Sequence, residues 1–219
     1  VTVSLALFSL ALTLLIGIPL GILIARYDGK WPAVWLSAFT QLGVAMPSFW
    51  LAFILILVFS VTFRLFPTYG YVPWGENPIA AIRSLFLPSL ALSIPGIAVV
   101  MRYLRNTLLD QTRMDYVRTA RSKGVRERAI MYRHILRNAL IPVVTIVGLI
   151  ITDTLGGSIV VENVFALPGL GNLLITSIGT RDLPLVQTLV LYIAILVAGI
   201  NFIIDLLYKV IDPRIRIKR

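Results

Sequence analysis

The chain has 219 residues, 58% of them hydrophobic, with a mean hydropathy of +0.90 and 14% charged residues. Soluble domains carry about 25% charged residues, so this composition cannot clothe a globular surface and a soluble enzyme is excluded. There is no cysteine, which excludes disulfides and cysteine metal sites within the chain.

A stretch of about 18 uncharged residues marks a candidate membrane helix. Val1–Ala25, Trp31–Phe63, Ser84–Met101 and Leu183–Ile204 carry no charge, and Asn138–Val161 is broken only by Asp153. These runs predict an all-α membrane protein, a polytopic helical bundle with spans at about 1–25, 31–63, 84–104, 138–161 and 184–207, forming one domain over 1–219. The first residue is Val within an apolar run, too long a run for a signal-peptide core, and the expectation is a chain whose natural start lies further upstream.

The first run ends at the turn RYDGK, Arg26–Lys30. In the second, Pro47 removes a backbone donor and should kink or interrupt the helix at AMPSFW, while Trp31 and Trp35 suit an interfacial belt. The segment Arg64–Pro78, rich in Pro, Gly and aromatics, reads as a compact turn at headgroup level. The third span, from about Leu85, holds Pro88 and Pro95. After the fourth, Pro168, Gly169 and Gly171 read as a turn, and GNLLITSI as a short helix along or dipping into the outer face. The last span runs over Leu185–Leu207.

The positive charges are sorted by side. Arg26 and Lys30, ten residues from Arg102 to Arg137 and five from Lys209 to Arg219 fall together, leaving only Arg64, Arg83 and Arg181 opposite. The positive-inside rule puts the rich side in the cytoplasm, with an outer Val1 and a cytoplasmic C-terminus. This sorting, rather than a compact basic face, argues against nucleic acid as a partner.

Between the third and fourth spans lies YVRTARSKGVRERAIMYRHILRNALIP, Tyr116–Pro142. Asp115–Lys123 reads as a helix with Val117, Ala120 and Arg121 toward one face. Gly124 sits where a helix ends, because glycine adopts the left-handed C′ conformation without a clash. Ile130, His134 and Ile135 mark a face of a second helix continuing into the fourth span. Three readings fit these residues: a basic loop that only sets topology, a helix-turn-helix for DNA, and a short docking helix for a soluble partner. Both helices abut spans, which leaves little freedom to enter a major groove.

The order of residues resembles the EAA loop of ABC-importer permeases: E-A-A, three residues, Gly, nine residues, then I-x-L-P. Arg118-Thr119-Ala120 stands at E-A-A, Gly124 follows at that distance, and His134-Ile135-Leu136-Arg137 stands at I-x-L-P. Arg118 and Thr119 depart from the pattern, and the proline comes five residues late as Pro142. Those departures resemble the peptide and nickel permeases of the DppB/OppB branch, as do MPSFW, VVENVFALPGLGNLL, RDLPLVQ and DLLYKVIDPRIR in order along the chain. The resemblance implies a type I importer permease fold (MetI-like), with six spans in the intact protein. It also implies a bacterial inner-membrane location, a second homologous permease subunit, two cytoplasmic ATP-binding subunits carrying ATP and Mg, and an extracytoplasmic substrate-binding protein. The coupling loop would span about 106–137, with contact to the ATPase through Tyr116, Val117, Arg118, Thr119, Ala120, Arg121, Ser122, Lys123, Gly124, Val125 and Arg126.

No phosphate-binding loop or hydrolase motif occurs in the sequence, so this chain is expected to be non-catalytic and to bind no cofactor. Asp153 is a carboxylate well inside a span, where unpaired charge costs several kcal/mol. It lines a pathway or is satisfied by a neighbouring subunit. Asn201, Pro47 and Ser48 are the other pathway candidates, although a polar residue such as Asn201 in a span is more often a helix–helix hydrogen bond than a substrate ligand. Asp205 and Lys209 form an i, i+4 pair, and the lone His134 has no ligand partners at metal spacing. The competing function is a stand-alone channel or ion-coupled carrier whose basic loop only sets topology.

Overall fold

The computed structural model describes residues 1–211, with the side chains of Asp205 and of 207–211 outside the description. The Asp205–Lys209 pair and the basic tail to Arg219 therefore lie outside the described residues. The chain runs α1 (Thr2–Arg26), α2 (Trp31–Ala45), α3 (Ser48–Leu55, continuing as π-helical turns over Ile56–Thr62) and α4 (Pro78–Thr112). Then follow α5 (Asp115–Ser122), α6 (Glu127–Ala129), a π-helical stretch Ile130–Ile135, α7 (Leu136–Val164), α8 (Leu170–Gly179) and α9 (Leu183–Ile211). Among the described residues four helices are long and apolar enough to cross a membrane, or five if α2 and α3 together make one span.

Helix α4 is the hub. In its most apolar stretch 72% of residues are buried, against 28% for α1 and 6% for α9, so α9 packs along one partly buried stripe and leaves the rest of its surface to lipid or another chain. α1 lies close along α4 because its inward stripe is small: Ser9, Thr13, Gly17 and Gly21 recur every four residues, all buried. A Cβ at Gly17 would stand 3.1 Å from the Val100 side chain, and one at Gly21 3.1 Å from Leu104. Small residues at this spacing let helix backbones approach, which supplies the packing that drives association where burial from water cannot.

Pro47 interrupts the second run. Met46 is driven to φ −89, ψ 126 by the proline that follows, and α2 and α3 meet at a bend of 110°. The two arms pack on different levels of α4: Ala33 joins Ile24, Ile97 and Met101, whereas Leu51, Ala52 and Leu55 join Leu85, Leu87 and Leu92. The charge-free run at 31–63 is thus two helices rather than one straight span.

α4 is longer at both ends than the span expected at 84–104. Asn77 caps its start, its Oδ1 accepting the N–H groups of Ile79 and Ala80 at 3.1 Å each, and Pro78 supplies a pre-set first turn. A charge such as Arg83 ends an uncharged run but not a helix. At the other end Arg102 and Arg105 are still helical, and Arg105 donates to Asp28 at 2.6 Å, tying the α1–α2 turn to α4.

Besides the small cluster around Ala33, two larger cores flank α4. One gathers Leu5, Leu85, Val161, Phe165 and Leu167; the other, toward the basic end, gathers Val100, Leu104, Leu108, Val117, Ile130, Ile135 and Ala139.

Candidate functional site

The basic hairpin is built around Gly124. α5 ends at Ser122 with Lys123 as its cap, and Gly124 takes φ +73. The Gly124 N–H donates to the Arg121 carbonyl at 2.9 Å and the Val125 N–H to the Ala120 carbonyl at 3.2 Å. This is the Schellman pair of bonds, which satisfies the last carbonyls of α5 and reverses the chain in three residues. Arg121 then clamps the turn from outside, its Nε and Nη2 donating to the Glu127 carboxylate at 2.8 and 3.3 Å. That hydrogen bond, and the charge behind it, hold the guanidinium above its ordinary value.

The hairpin is fastened to the bundle by few contacts. Val117 is fully buried among Leu104, Leu108, Ile130 and Ile135, with Tyr116 and Ala120 packed at the margin of the same core. The Tyr116 hydroxyl donates to Gln111 Oε1 at 2.8 Å. Arg118, Thr119, Arg121, Ser122, Lys123, Gly124, Val125 and Arg126 are exposed. From Glu127 the backbone is helical without a break to Val164, so the Gly124 turn leads directly into the rod that continues as α7.

His134 departs from the expected face. Ile130 and Ile135 are buried while His134 is exposed, because residues 130–135 wind as a π-helix. Its i→i+5 bonding aligns residues five apart rather than three or four apart.

Of the four residues expected in a pathway, the fold brings three together. Pro47, Ser48 and Asp153 line one cavity of about 260 Å³, with Met46, Leu92, Pro95, Gly96, Ile150 and Gly157 among its walls. The cavity exists because the α2–α3 break opens a notch opposite α7, and Asp153 stands exposed on its rim. Asn201 does not reach it. Its Oδ1 accepts the Thr152 hydroxyl at 2.8 Å, a hydrogen bond joining α9 to α7.

Glu162, a residue the sequence reading passed over, is the most deeply buried carboxylate described, at 0% exposed. It sits near the end of α7 opposite the basic hairpin and reaches to the start of α8. Its Oε2 accepts the Gly171 N–H at 2.7 Å and the Asn172 N–H at 3.4 Å, while Thr2 Oγ1 accepts the Leu170 N–H at 2.9 Å. The unpaired donors at a helix start attract negative charge, so Glu162 fixes α8 against α7 and Thr2 fixes it against α1. The glycines of LPGLGN serve this contact: a Cβ on Gly169 would collide with the Glu162 carboxylate, and one on Gly171 with the Ile159 Cα. The sign available in the sequence was an acid seven and nine residues ahead of two glycines.

These features match known proteins. A family described as binding-protein-dependent transport system inner membrane component matches residues 17–217. A putative peptide transport system permease protein of Brucella abortus is 44% identical over 216 residues, covering 99% of this chain and 69% of that protein. The oligopeptide transport system permease protein AppB of Bacillus subtilis is 41% identical, covering 98% of this chain and 68% of its own length. Among solved structures, an inward-facing MetNI methionine ABC transporter chain superposes with a TM-score of 0.77 at 19% identity, covering 96% of this chain and 93% of that one. That likeness shows the shared importer-permease fold. The chain belongs to the family of inner membrane components of binding-protein-dependent transport systems, and is a permease subunit.

Proposed function

We propose that this permease serves an ATP-driven importer of peptides or similar small solutes, and that its basic hairpin is the contact through which ATPase subunits drive the spans. In this reading the chain forms half of the translocation pathway beside a second homologous permease. Two separate subunits bind ATP and Mg, an extracytoplasmic binding protein delivers the solute, and the basic face is cytoplasmic, as the sorting of arginines and lysines supports. The peptide transport named for the Brucella and Bacillus relatives supports the substrate class.

The single observation that carries the proposal is the hairpin's construction. Residues 116–126 expose a basic surface, are fastened by one buried valine and a tight Gly124 turn, and continue from Glu127 into α7 as one helix. A loop that only set topology would need charge but neither a capped turn nor a rigid connection. The cavity of Pro47, Ser48 and Asp153 is the proposed solute-lining notch. A carboxylate there favours a cationic group such as a peptide amino terminus, while Asn201 serves in helix packing.

The test is purification followed by reconstitution. The chain, purified from its native cell, is expected to bring ATP-binding subunits with it, and Arg118→Glu or Arg121→Glu is expected to lower solute uptake at least tenfold per ATP hydrolysed. Solute movement by this chain alone, without ATPase subunits, would instead support the stand-alone carrier.

A further inference from the structure

We propose that a cavity on the basic face, between the end of α1 and the α6 turn, binds the headgroup of an anionic phospholipid. The cavity, about 420 Å³, is lined by Ile22, Arg26, Glu127, Arg128, Met131 and Tyr132. It lies where the last turn of α1 meets the π-helical stretch leading into α7, and Ile22 and Met131 both pack against the core below it.

The charges point to a phosphate. Glu127 is already held by Arg121, so it does not neutralise the pocket. Arg26 and Arg128 make none of the ion pairs found among the described residues. Two arginines therefore line one cavity whose single lining carboxylate, Glu127, is already paired with Arg121. Guanidinium forks match phosphate oxygens in geometry and charge, and the Tyr132 hydroxyl, on a half-exposed side chain, adds a donor.

The apolar approach points to a lipid rather than a free anion. Along α1, Leu7, Leu15 and Leu23 are 62%, 72% and 38% exposed and belong to an outward row, Leu7, Ala11, Leu15, Pro19 and Leu23, that recurs every four residues alongside the buried row of Ser9, Thr13, Gly17 and Gly21. Leu23 lies one turn before Arg26, so this stripe ends at the rim of the cavity. An acyl chain laid on the stripe brings its phosphate to the arginines, which stand where basic residues capture anionic headgroups beside membrane helices. A soluble phosphate could use the arginines but gains nothing from the stripe. Because the pocket joins α1 to the helix that extends the hairpin into α7, an occupant would brace that rod. The site goes beyond the coupling proposal and stands or falls separately from it.

The experiment uses the intact complex in mild detergent, titrated with phosphatidylglycerol or phosphatidylcholine and read by native mass spectrometry. Wild type is expected to retain phosphatidylglycerol at least tenfold over phosphatidylcholine. The double variant R26Q/R128Q should lose at least fivefold of that retention. Arg102→Gln, which removes an exposed arginine elsewhere on the same face, should keep it. A photoreactive phosphatidylglycerol should label residues 127–132 in wild type, a readout that needs no variant. Equal retention by R26Q/R128Q, an equal loss in R102Q, labelling elsewhere, or displacement of the lipid by millimolar inorganic phosphate would each overturn the assignment.

Discussion

The two turns that flank the long rod of α6 and α7 both depend on glycine, and for opposite reasons. At the basic end, Gly124 adopts φ +73, yet a Cβ there would meet nothing within 4 Å. At the other end, Gly169 has an ordinary extended backbone (φ −108), yet there is no room for a Cβ on it or on Gly171. The first turn is set by backbone conformation and leaves its outer surface free. The second is set by contact, with a buried carboxylate drawing α8 down onto α7. An open, stiff turn suits a surface that meets another protein, and a filled one suits a fixed joint.

The largest effect expected from breaking this contrast is at the filled turn. Gly171→Ala must displace the Ile159 backbone, and overpacking of this kind costs about 1–3 kcal/mol or more. The thermal unfolding midpoint of the purified complex should fall clearly, whereas Gly156→Ala, a position with open space, should leave it nearly unchanged. Equal midpoints for the two variants would remove steric fit as the reason for Gly171.

Next is Glu162. Glu162→Ala leaves the Gly171 N–H buried without its acceptor, a loss of roughly 1–3 kcal/mol. Glu162→Gln keeps an acceptor oxygen but removes the charge facing the start of α8, and should fall between Ala and wild type. Proteolysis within 166–172 would report the release of α8. An unchanged cleavage rate in Glu162→Ala would contradict the joint.

At the basic end the corresponding lesion is smaller. Val117→Ala removes two methyl groups from a fully buried site, worth roughly 2 kcal/mol. It should loosen the hairpin's attachment, raising hydrogen exchange over 115–126 with little change in α1 or α4. Exchange that rises evenly over the whole chain would show instead that Val117 supports the bundle as a whole.

The smallest effect is at the Arg121–Glu127 clamp, which is solvent-exposed and weakened by salt. The raised Arg121 value means its share of stability is present below the ordinary arginine range and is lost only as pH rises through that raised value. Its contribution is therefore flat through neutral pH. Glu127→Gln should change stability measurably at low salt only, and an undiminished effect at high salt would contradict an exposed pair.

The same contrast explains what the sequence could disclose. Uncharged runs located the apolar helices, since charge is excluded from lipid whatever the tertiary packing. Gly124 was legible because a helix end demands a left-handed residue locally, and the break at Pro47 because proline lacks a donor. Glu162 was not legible as a structural residue. In sequence it is an acid beside a loop between apolar segments, and only the meeting of α7 with α8 buries it. The start of α4 at Pro78 was hidden because Arg83 ends the apolar run five residues inside the helix, whereas the Asn77 cap that starts it is a polar signal. The exposure of His134 was hidden because a π-helical register cannot be told from an α-helical one by apolar spacing over six residues. Within the proposed pathway, Pro47, Ser48 and Asp153 come together in space although more than a hundred residues separate them, a convergence no local pattern encodes.

The claim that the open turn is a docking surface is tested most directly by comparing Gly124→Ala with Gly124→Trp in the reconstituted complex. Both carry the left-handed backbone penalty of roughly 1–2 kcal/mol, and within this chain neither side chain starts from a crowded site. Any difference between them therefore reports what lies against the turn in the assembly. Solute uptake per ATP hydrolysed should be near wild type for Gly124→Ala and at least tenfold lower for Gly124→Trp, with the spans still folded. Equal, near-wild-type coupling in both variants would contradict the account.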